Sequence, residues 1–204
     1  MTQTIVFDLG GVLIDWDPRR LYRKLLPDET AIDRFLQTVC TSEWNAQQDA
    51  GQPFAEGVAQ LSGRWPEHAG LIEAYHTRWI EMIGGPMPET VAILGALRER
   101  RFPLYALTNW STETFPLVRD QYDFLTWFAG IVVSGEEKLI KPHPSIFRLL
   151  LDRYDLTPDQ TVFIDDSPAN VEAARKLGID AIPFTCASAL RQALIDREIL
   201  PAEG

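Results

Sequence analysis

The sequence predicts an α/β fold, a doubly wound parallel sheet with an all-helical segment inserted after its first strand. Short runs of β-branched and aromatic residues alternate with amphipathic helical patterns from residue 88 onwards, and one further run stands near the N-terminus. Strands that alternate with helices are typical of a parallel sheet covered on both faces. Between residues 15 and 87, helical patterns follow one another without a convincing strand, which predicts a separate helical unit.

Five runs have the composition of strands, being rich in β-branched or aromatic residues and ending in polar or glycine residues. They are Thr4–Leu9, Leu104–Leu107, Ile131–Val133, Thr161–Ile164 and a weaker run at Ala181–Phe184. Runs as short and apolar as these are expected in a sheet that is buried on both faces.

Three helices are predicted beside these strands. Apolar residues recur on one face over Pro88–Arg101 and over Pro144–Tyr154. The third helix has clear end signals, with Ser167 as the N-cap, Pro168 at the first helical position and Gly178 just beyond the last turn. Together with the strands, these helices predict a Rossmann-like arrangement.

The middle of the chain is predicted to form a helical cap domain. Two amphipathic stripes, Ile32–Val39 and Leu71–Met82, are separated by segments that contain glycine and proline. The predicted domain division is therefore an α/β core of residues 1–14 and 88–204 and a helical cap of residues 15–87.

Composition and charge narrow the range of partners. The chain has 204 residues and a formal net charge of -10, and an acidic surface repels phosphate backbones, so no nucleic-acid partner is expected. A small anionic substrate remains compatible with this charge, because a bound divalent cation reverses the local field. No apolar run reaches the roughly 18 residues of a membrane-spanning helix, so no membrane partner is expected. The two isolated cysteines, Cys40 and Cys186, provide neither a disulfide framework nor a zinc spacing, which indicates a cytoplasmic location.

Polar and charged residues stand where three of the predicted strands end. These residues are Asp8 at the end of the first run, Thr108 and Asn109 at the end of the second, and Asp165 and Asp166 at the end of the fourth. Lys141 is predicted to open the helix that precedes the fourth strand. Because ligands bind at the carboxyl ends of parallel strands, we expect these side chains to meet at one edge of the sheet.

Four segments, in this order, resemble the motifs of the haloacid dehalogenase superfamily, in the branch with a helical cap of the C1 type. Ile5–Leu13 is similar to the nucleophile motif, and its Asp8-Leu9-Gly10 matches the Asp-x-Gly opening of phosphatase-like relatives. Ala106–Asn109 is similar to the threonine or serine motif, and Lys141–Pro144 to the lysine motif. Phe163–Asn170 is similar to the acidic motif. The resemblance covers nearly the whole chain.

This resemblance implies a hydrolase that acts through a covalent intermediate. Asp8 would attack phosphorus and form an aspartyl-phosphate. Asp8, Asp166 and the main-chain carbonyl of Gly10 would hold Mg²⁺, which prefers oxygen ligands. The Thr108 hydroxyl and the Lys141 charge would stabilise the transferring phosphoryl group.

The resemblance also implies supporting residues and a class of substrate. Asp165 and Asn170 would act from a second shell around the metal. The substrate-binding candidates are Asn109, Gly11, Trp110 and Arg20. The expected substrate is a small phosphorylated metabolite such as a sugar or polyol phosphate.

One position departs from the pattern of many phosphatases in this superfamily. They carry a second aspartate two residues after the nucleophile, where this chain has Gly10, which cannot transfer a proton. Asp15 and Asp17 are candidate replacements. Besides a phosphatase, the sequence leaves open a metal-independent 2-haloacid dehalogenase and a relative that binds phosphometabolites without turnover. The phosphatase is favoured, because tandem carboxylates at residues 165 and 166 would repel a haloacid in the absence of a cation.

Overall fold

A computed structural model describes residues 3–202, and it places five parallel strands in one sheet. The strands, numbered along the chain, are β1 (Thr4–Phe7), β2 (Ile14–Trp16), β3 (Ile83–Pro86), β4 (Leu104–Thr108), β5 (Gly130–Val133), β6 (Thr161–Asp165) and β7 (Asp180–Pro183). The main sheet has the order β5-β4-β1-β6-β7, and its strand pairs are parallel. All five predicted strands are confirmed, with bounds that differ by no more than two residues.

Helices cover this sheet and make up most of the segment between β2 and β3. They are α1 (Arg19–Tyr22), α2 (Glu29–Thr38), α3 (Ser42–Asp49), α4 (Phe54–Arg64), α5 (Ala69–Thr77), α6 (Pro88–Glu99), α7 (Pro116–Arg119), α8 (Ser134–Glu137), α9 (Pro144–Arg153), α10 (Pro168–Lys176) and α11 (Ala187–Ile195). Short 3₁₀ turns lie at Pro66–His68, Trp79–Met82, Asp123–Trp127 and Pro158–Gln160. None of the helices in residues 3–202 has the length and apolar character needed to cross a bilayer.

Alternate residues of the central strand pack on opposite faces of the sheet, as the period of a β-strand requires. Val6 belongs to an apolar cluster that includes Phe147 of α9. Ile5 belongs to a second cluster, which includes Ile93 of α6. Both faces are therefore covered by helices, which confirms the predicted doubly wound architecture.

Two short strands in the middle of the chain were not predicted. β2 and β3 form an antiparallel ribbon in which Ile14 pairs with Pro86 and Asp15 pairs with Gly85. The expectation of no strand over 15–87 is therefore wrong. β3 could not be recognised in the sequence because half of it is glycine, which has a low strand propensity, and its last residue is proline. The described structure between the two strands is otherwise helices and turns, and the division into core and cap domains stays a prediction.

One local prediction at a helix start is confirmed and one is wrong. Ser167 is the N-cap of α10 and Pro168 its first residue, as predicted; the Ser167 side chain makes no capping hydrogen bond, and its backbone N–H donates to Asp165 Oδ1 at 2.8 Å. Lys141 does not open a helix, because α9 begins at Pro144 with His143 as its N-cap, and Lys141 lies in the preceding turn. The end of α10 is as predicted, with Gly178 at a φ of 84°.

Candidate active site

The candidate site lies at the carboxyl edge of the three central strands. β1 lies between β4 and β6. From β4 the sheet continues outwards to β5, and from β6 it continues outwards to β7 on the other side of β1. The register pairs Phe7 with Ala106 on one side and with Ile164 on the other. Asp8 is therefore flanked by the ends of β4 and β6, at the position in a doubly wound sheet where ligands bind.

Lys141 connects the side chains at this edge. Its fully buried ammonium Nζ lies 3.0 Å from Asp8 Oδ1 and 2.6 Å from Asp165 Oδ2. The same atom donates to the Leu107 carbonyl oxygen at 2.8 Å. An ammonium has three N–H groups, and each has an acceptor here, so Lys141 is fixed in place.

Asp165 is occupied by contacts inside the protein. Its side chain is fully buried and accepts hydrogen bonds from Lys141, from the Ser167 backbone and from Asn170 Nδ2, the last at 2.9 and 3.1 Å. Asp165 is also not among the described residues that line the cavity beside the site. Asp165 therefore orients Lys141 from the side away from the cavity, and Asn170 holds Asp165. This arrangement suits the predicted second shell around the metal.

Negative charge exceeds positive charge in this cluster. Burial raises the pKa of Asp8, and the Lys141 ammonium offsets only part of that rise. Burial and the neighbouring Asp165 also raise the pKa of Asp166. Burial alone would lower the pKa of Lys141, but the carboxylates of Asp8 and Asp165 outweigh it and raise that pKa. A further cation would relieve the repulsion that remains.

The described carboxylates fit a magnesium ion. Asp8, Asp165 and Asp166 each offer an oxygen, and these oxygens all lie within 4.8 Å of one another. Because both carboxylate oxygens of Asp165 already accept hydrogen bonds from the protein, Asp8 and Asp166 are the available ligands. Gly11 has a φ of 73°, and a Cβ there would lie 2.4 Å from Asp166 Oδ2, so only glycine lets that carboxylate approach. Oxygen donors with few protein carboxylates suit Mg²⁺.

A cavity of about 350 Å³ opens beside these carboxylates. Its described lining residues are Asp8, Gly10, Gly11, Trp16, Asn45, Asp49, Trp79, Asn109, Trp110, Thr114 and Asp166. Most of the predicted metal and substrate residues therefore border one space.

The residues after β4 have distinct environments. Thr108 is buried, and within residues 3–202 its hydroxyl has no hydrogen-bond partner. Asn109 uses both ends of its amide on the Lys141 backbone, accepting from its N–H at 2.8 Å and donating to its carbonyl at 2.9 Å. The Trp110 indole N–H is buried and also lacks a partner among the described residues. Within the described structure, Trp110 borders the cavity and has an indole N–H free to donate there, Thr108 has a free hydroxyl shortly before it in the chain, and Asn109 positions Lys141.

Several residues singled out in the sequence are not among the described lining residues of the cavity: Thr108, Lys141, Asp165, Asn170, Arg20, Asp15 and Asp17. Arg20 forms an ion pair with Asp15 across the start of the ribbon, and neither is among the described lining residues. Asp17 accepts from the Arg19 backbone N–H at 2.9 Å and is likewise absent from that lining. The pairing of Arg20 with Asp15 gives no support for a substrate-binding role of Arg20, and no described contact of Asp15 or Asp17 supports a role in place of the acid that Gly10 lacks.

Sequence reasoning missed Asp49, Asn45, Trp79 and Thr114 as lining residues. Asp49 is the last residue of α3 and stands two residues before Gly51. An acid at the end of a helix in the middle of the chain carries little signal, because nothing local shows that α3 reaches the edge of the sheet.

Comparisons with known proteins agree with this geometry. A family model described as haloacid dehalogenase-like hydrolase matches residues 2–178. Phosphoglycolate phosphatase from Escherichia coli K12 is 25% identical over 204 residues, with 89% of this chain and 80% of the relative covered. A sesquiterpene phosphatase from Aspergillus oryzae is 26% identical, with 88% of each chain covered. A mouse protein, acyl-CoA dehydrogenase family member 10, is 26% identical, but the match spans only 18% of its length.

A solved structure supplies the same fold. The haloacid dehalogenase family enzyme BT-2542 from Bacteroides thetaiotaomicron, in complex with magnesium and inorganic phosphate, has a TM-score of 0.70 and 25% identity. The similarity covers 91% of this chain and 95% of that one. Because the family model spans far more than half of the sequence and the sheet carries the matching acids, this chain belongs to the haloacid dehalogenase-like hydrolases.

Proposed function

We propose that this hydrolase is a magnesium-dependent phosphatase of small phosphorylated metabolites, with Asp8 as its nucleophile. The observation that carries the proposal is the position of Asp8. Its carboxylate borders the cavity, lies 3.0 Å from Lys141 Nζ and stands beside the Asp166 carboxylate. A nucleophile, a fixed positive charge and a pair of oxygen ligands thus share one space.

The proposed chemistry has two displacement steps. A carboxylate oxygen of Asp8 attacks phosphorus as the ester oxygen leaves, which forms an aspartyl-phosphate. Water then attacks that phosphorus and releases phosphate and Asp8. The Thr108 hydroxyl donates to a phosphoryl oxygen, and Lys141 holds Asp8 in position and supplies positive charge. Asp8, Asp166 and the Gly10 carbonyl would hold Mg²⁺, which would supply the positive charge that screens the phosphate from these carboxylates.

Charge also supports a phosphatase over a haloacid dehalogenase. The cluster contains three carboxylates, those of Asp8, Asp165 and Asp166, and the described side chains bring one ammonium to it. A haloacid would bring a fourth carboxylate to this cluster without a compensating cation. A metal-bound phosphate avoids that repulsion.

The cavity favours a phosphate ester whose organic part is uncharged. Its described lining includes three tryptophans, Trp16, Trp79 and Trp110, but no lysine, arginine or histidine. Aromatic faces pack well against the apolar faces of organic groups such as sugar rings. Phosphoglycolate, named in the E. coli relative, carries a carboxylate besides its phosphate, and this carboxylate would meet no described cationic side chain in this lining. We therefore expect sugar and polyol phosphates to have a higher kcat/KM than phosphoglycolate.

The experiment that tests this function is hydrolysis of para-nitrophenyl phosphate with magnesium, with chelator, and by the Asp8→Asn variant. Phosphate release that needs magnesium and is lost in the variant supports the proposal. Asp152→Asn, an exposed acid on α9, is the matched control and should retain full activity. Absence of release, together with metal-independent chloride release from 2-chloropropionate, would replace the phosphatase with a dehalogenase.

A further inference from the structure

One carboxylate of the cavity is used by neither the nucleophilic attack nor the metal site. Among the described lining residues, the titratable side chains are Asp8, Asp49 and Asp166. Asp8 and Asp166 have roles already, and Asp49 does not belong to the carboxylate group that fits a metal. Gly10 provides no group that can transfer a proton. Asp49 is thus the remaining candidate for proton transfer in this part of the structure.

The backbone of Asp49 is fixed by residues that follow β4 and β5. Ser134 Oγ donates to the Asp49 carbonyl oxygen at 2.5 Å and accepts from the Trp110 backbone N–H at 2.9 Å. Gly51 has a φ of 95°, and a Cβ there would lie 2.9 Å from the Gly135 carbonyl oxygen. The end of α3 therefore packs closely against the start of α8 and, through Ser134, is linked to Trp110 after β4.

The side chain of Asp49 is oriented from within the helical segment. Asn45 Nδ2 donates to Asp49 Oδ2 at 2.8 Å. The buried Tyr75 hydroxyl donates to Asn45 Oδ1 at 3.0 Å, which fixes the amide in that orientation. One turn of α3 and one tyrosine of α5 thus hold the carboxyl group at the cavity wall.

The surroundings of Asp49 suit a group that gains and loses a proton near neutral pH. Burial raises its pKa to about 7, while a hydrogen bond from the Ser111 backbone and the charge of Lys141 act to lower it. The other titratable groups around it are the Tyr75 hydroxyl and, at the cavity wall, Asp8 and Asp166. General acid–base catalysis is most effective when the pKa lies near the working pH.

We propose that Asp49 is the general acid and base of this enzyme, an inference that rests on the proposed phosphatase function. The protonated Asp49 carboxyl donates its proton to the ester oxygen as the bond from that oxygen to phosphorus breaks and Asp8 bonds to phosphorus. The alcohol leaves. The Asp49 carboxylate then accepts a proton from water as the water oxygen attacks phosphorus and Asp8 departs, which restores both groups.

The test compares two substrates of similar shape, phenyl phosphate and 2,4-dinitrophenyl phosphate, at saturating magnesium. Phenolate is the poorer leaving group and needs the proton, whereas dinitrophenolate does not. Asp49→Asn should lower kcat on phenyl phosphate by about 10²–10⁴-fold and on the dinitro ester by less than about tenfold. Glu43→Gln removes an exposed acid from the same helix and should change neither rate.

The pH profile and a second variant separate proton transfer from a structural role. With phenyl phosphate, the wild-type rate should fall as the pH rises above about 7, and Asp49→Asn should lack this limb. A Cβ at Gly10 meets no atom within 4 Å, so the first atom of a side chain fits there. The double variant Asp49→Asn/Gly10→Asp should recover at least about tenfold of the lost phenyl phosphate activity.

Distinct results overturn the inference and the function beneath it. Equal loss of both activities in Asp49→Asn would show that Asp49 supports the fold of the site and moves no proton. A double variant that keeps the dinitro activity without recovering the phenyl activity would argue against it too. Failure of the wild-type enzyme to hydrolyse the dinitro ester would overturn the proposed phosphatase itself.

Discussion

Replacing Thr108 by valine should make the protein more stable and less active. The two side chains have nearly the same shape, so the change removes a hydroxyl group and leaves the packing in place. Thr108 is only 1% exposed, and its Oγ1 has no hydrogen-bond partner within residues 3–202. The native protein therefore contains a buried polar group that is ready for a ligand.

The two effects have magnitudes that follow from this environment. A buried hydroxyl without a partner costs about 1–3 kcal/mol of stability, so Thr108→Val should raise the free energy of unfolding by about that amount. Removing one donor to a developing negative charge lowers kcat by about 10²–10³-fold. We expect Thr108→Val to lower kcat on para-nitrophenyl phosphate by a similar factor.

The assay is urea unfolding of both proteins in chelator, with hydrolysis rates measured in magnesium. Thr108→Ser serves as the control, because it keeps the hydroxyl and should retain most of the activity. A valine variant that is less stable than wild type, or that hydrolyses the substrate at the wild-type rate, would refute the assignment of this hydroxyl.

Three further predictions follow from other contacts. Gly11→Ala should weaken magnesium binding by about tenfold or more in calorimetry, because its Cβ would lie 2.4 Å from Oδ2 of Asp166, the proposed metal ligand. Gly63→Ala, whose Cβ meets nothing within 4 Å, should bind magnesium normally. Lys141→Met should lower the free energy of unfolding by about 3–5 kcal/mol, since it leaves buried carboxylates unpaired. The double variant Lys141→Met/Asp165→Asn should lose less free energy of unfolding than the two single variants lose together, by more than about 1 kcal/mol. Additive losses in urea unfolding would contradict the coupling of the two residues. The raised pKa of Asp49 means that folding takes up a proton, so its contribution to stability falls as the pH rises from 3.8 to about 7. Asp49→Asn should therefore become progressively more stable than wild type across that range, and a constant difference would count against the raised pKa.

The central part of the site was predictable because it depends on the order of strands and helices. Asp8, Thr108 and Asp166 follow strands whose short apolar runs are visible in the sequence, and a parallel sheet brings such strand ends together. The contact of Lys141 with Asp8 required the resemblance to a known family, because a lysine in a turn has no local pattern. Their catalytic roles stay predictions that the geometry supports.

The contribution of the helical segment was not predictable, because it depends on long-range packing. Asp49 reaches the cavity through its backbone contact with Ser134, which lies 85 positions away in sequence. Arg20 was expected to meet a substrate, but the β2–β3 ribbon places Asp15 beside it, and the two side chains pair with each other. A single sequence does not encode such pairings as a periodic pattern.

The most direct test of the account is a search for phosphate bound covalently to Asp8. The enzyme would be mixed with 2,4-dinitrophenyl phosphate and magnesium, quenched in acid within milliseconds, digested and analysed by mass spectrometry. The account predicts one added phosphoryl group on the peptide that contains Asp8, formed at the rate of the dinitrophenolate burst and absent in Asp8→Asn. Turnover without any such adduct, or a phosphoryl group on another residue, would contradict it.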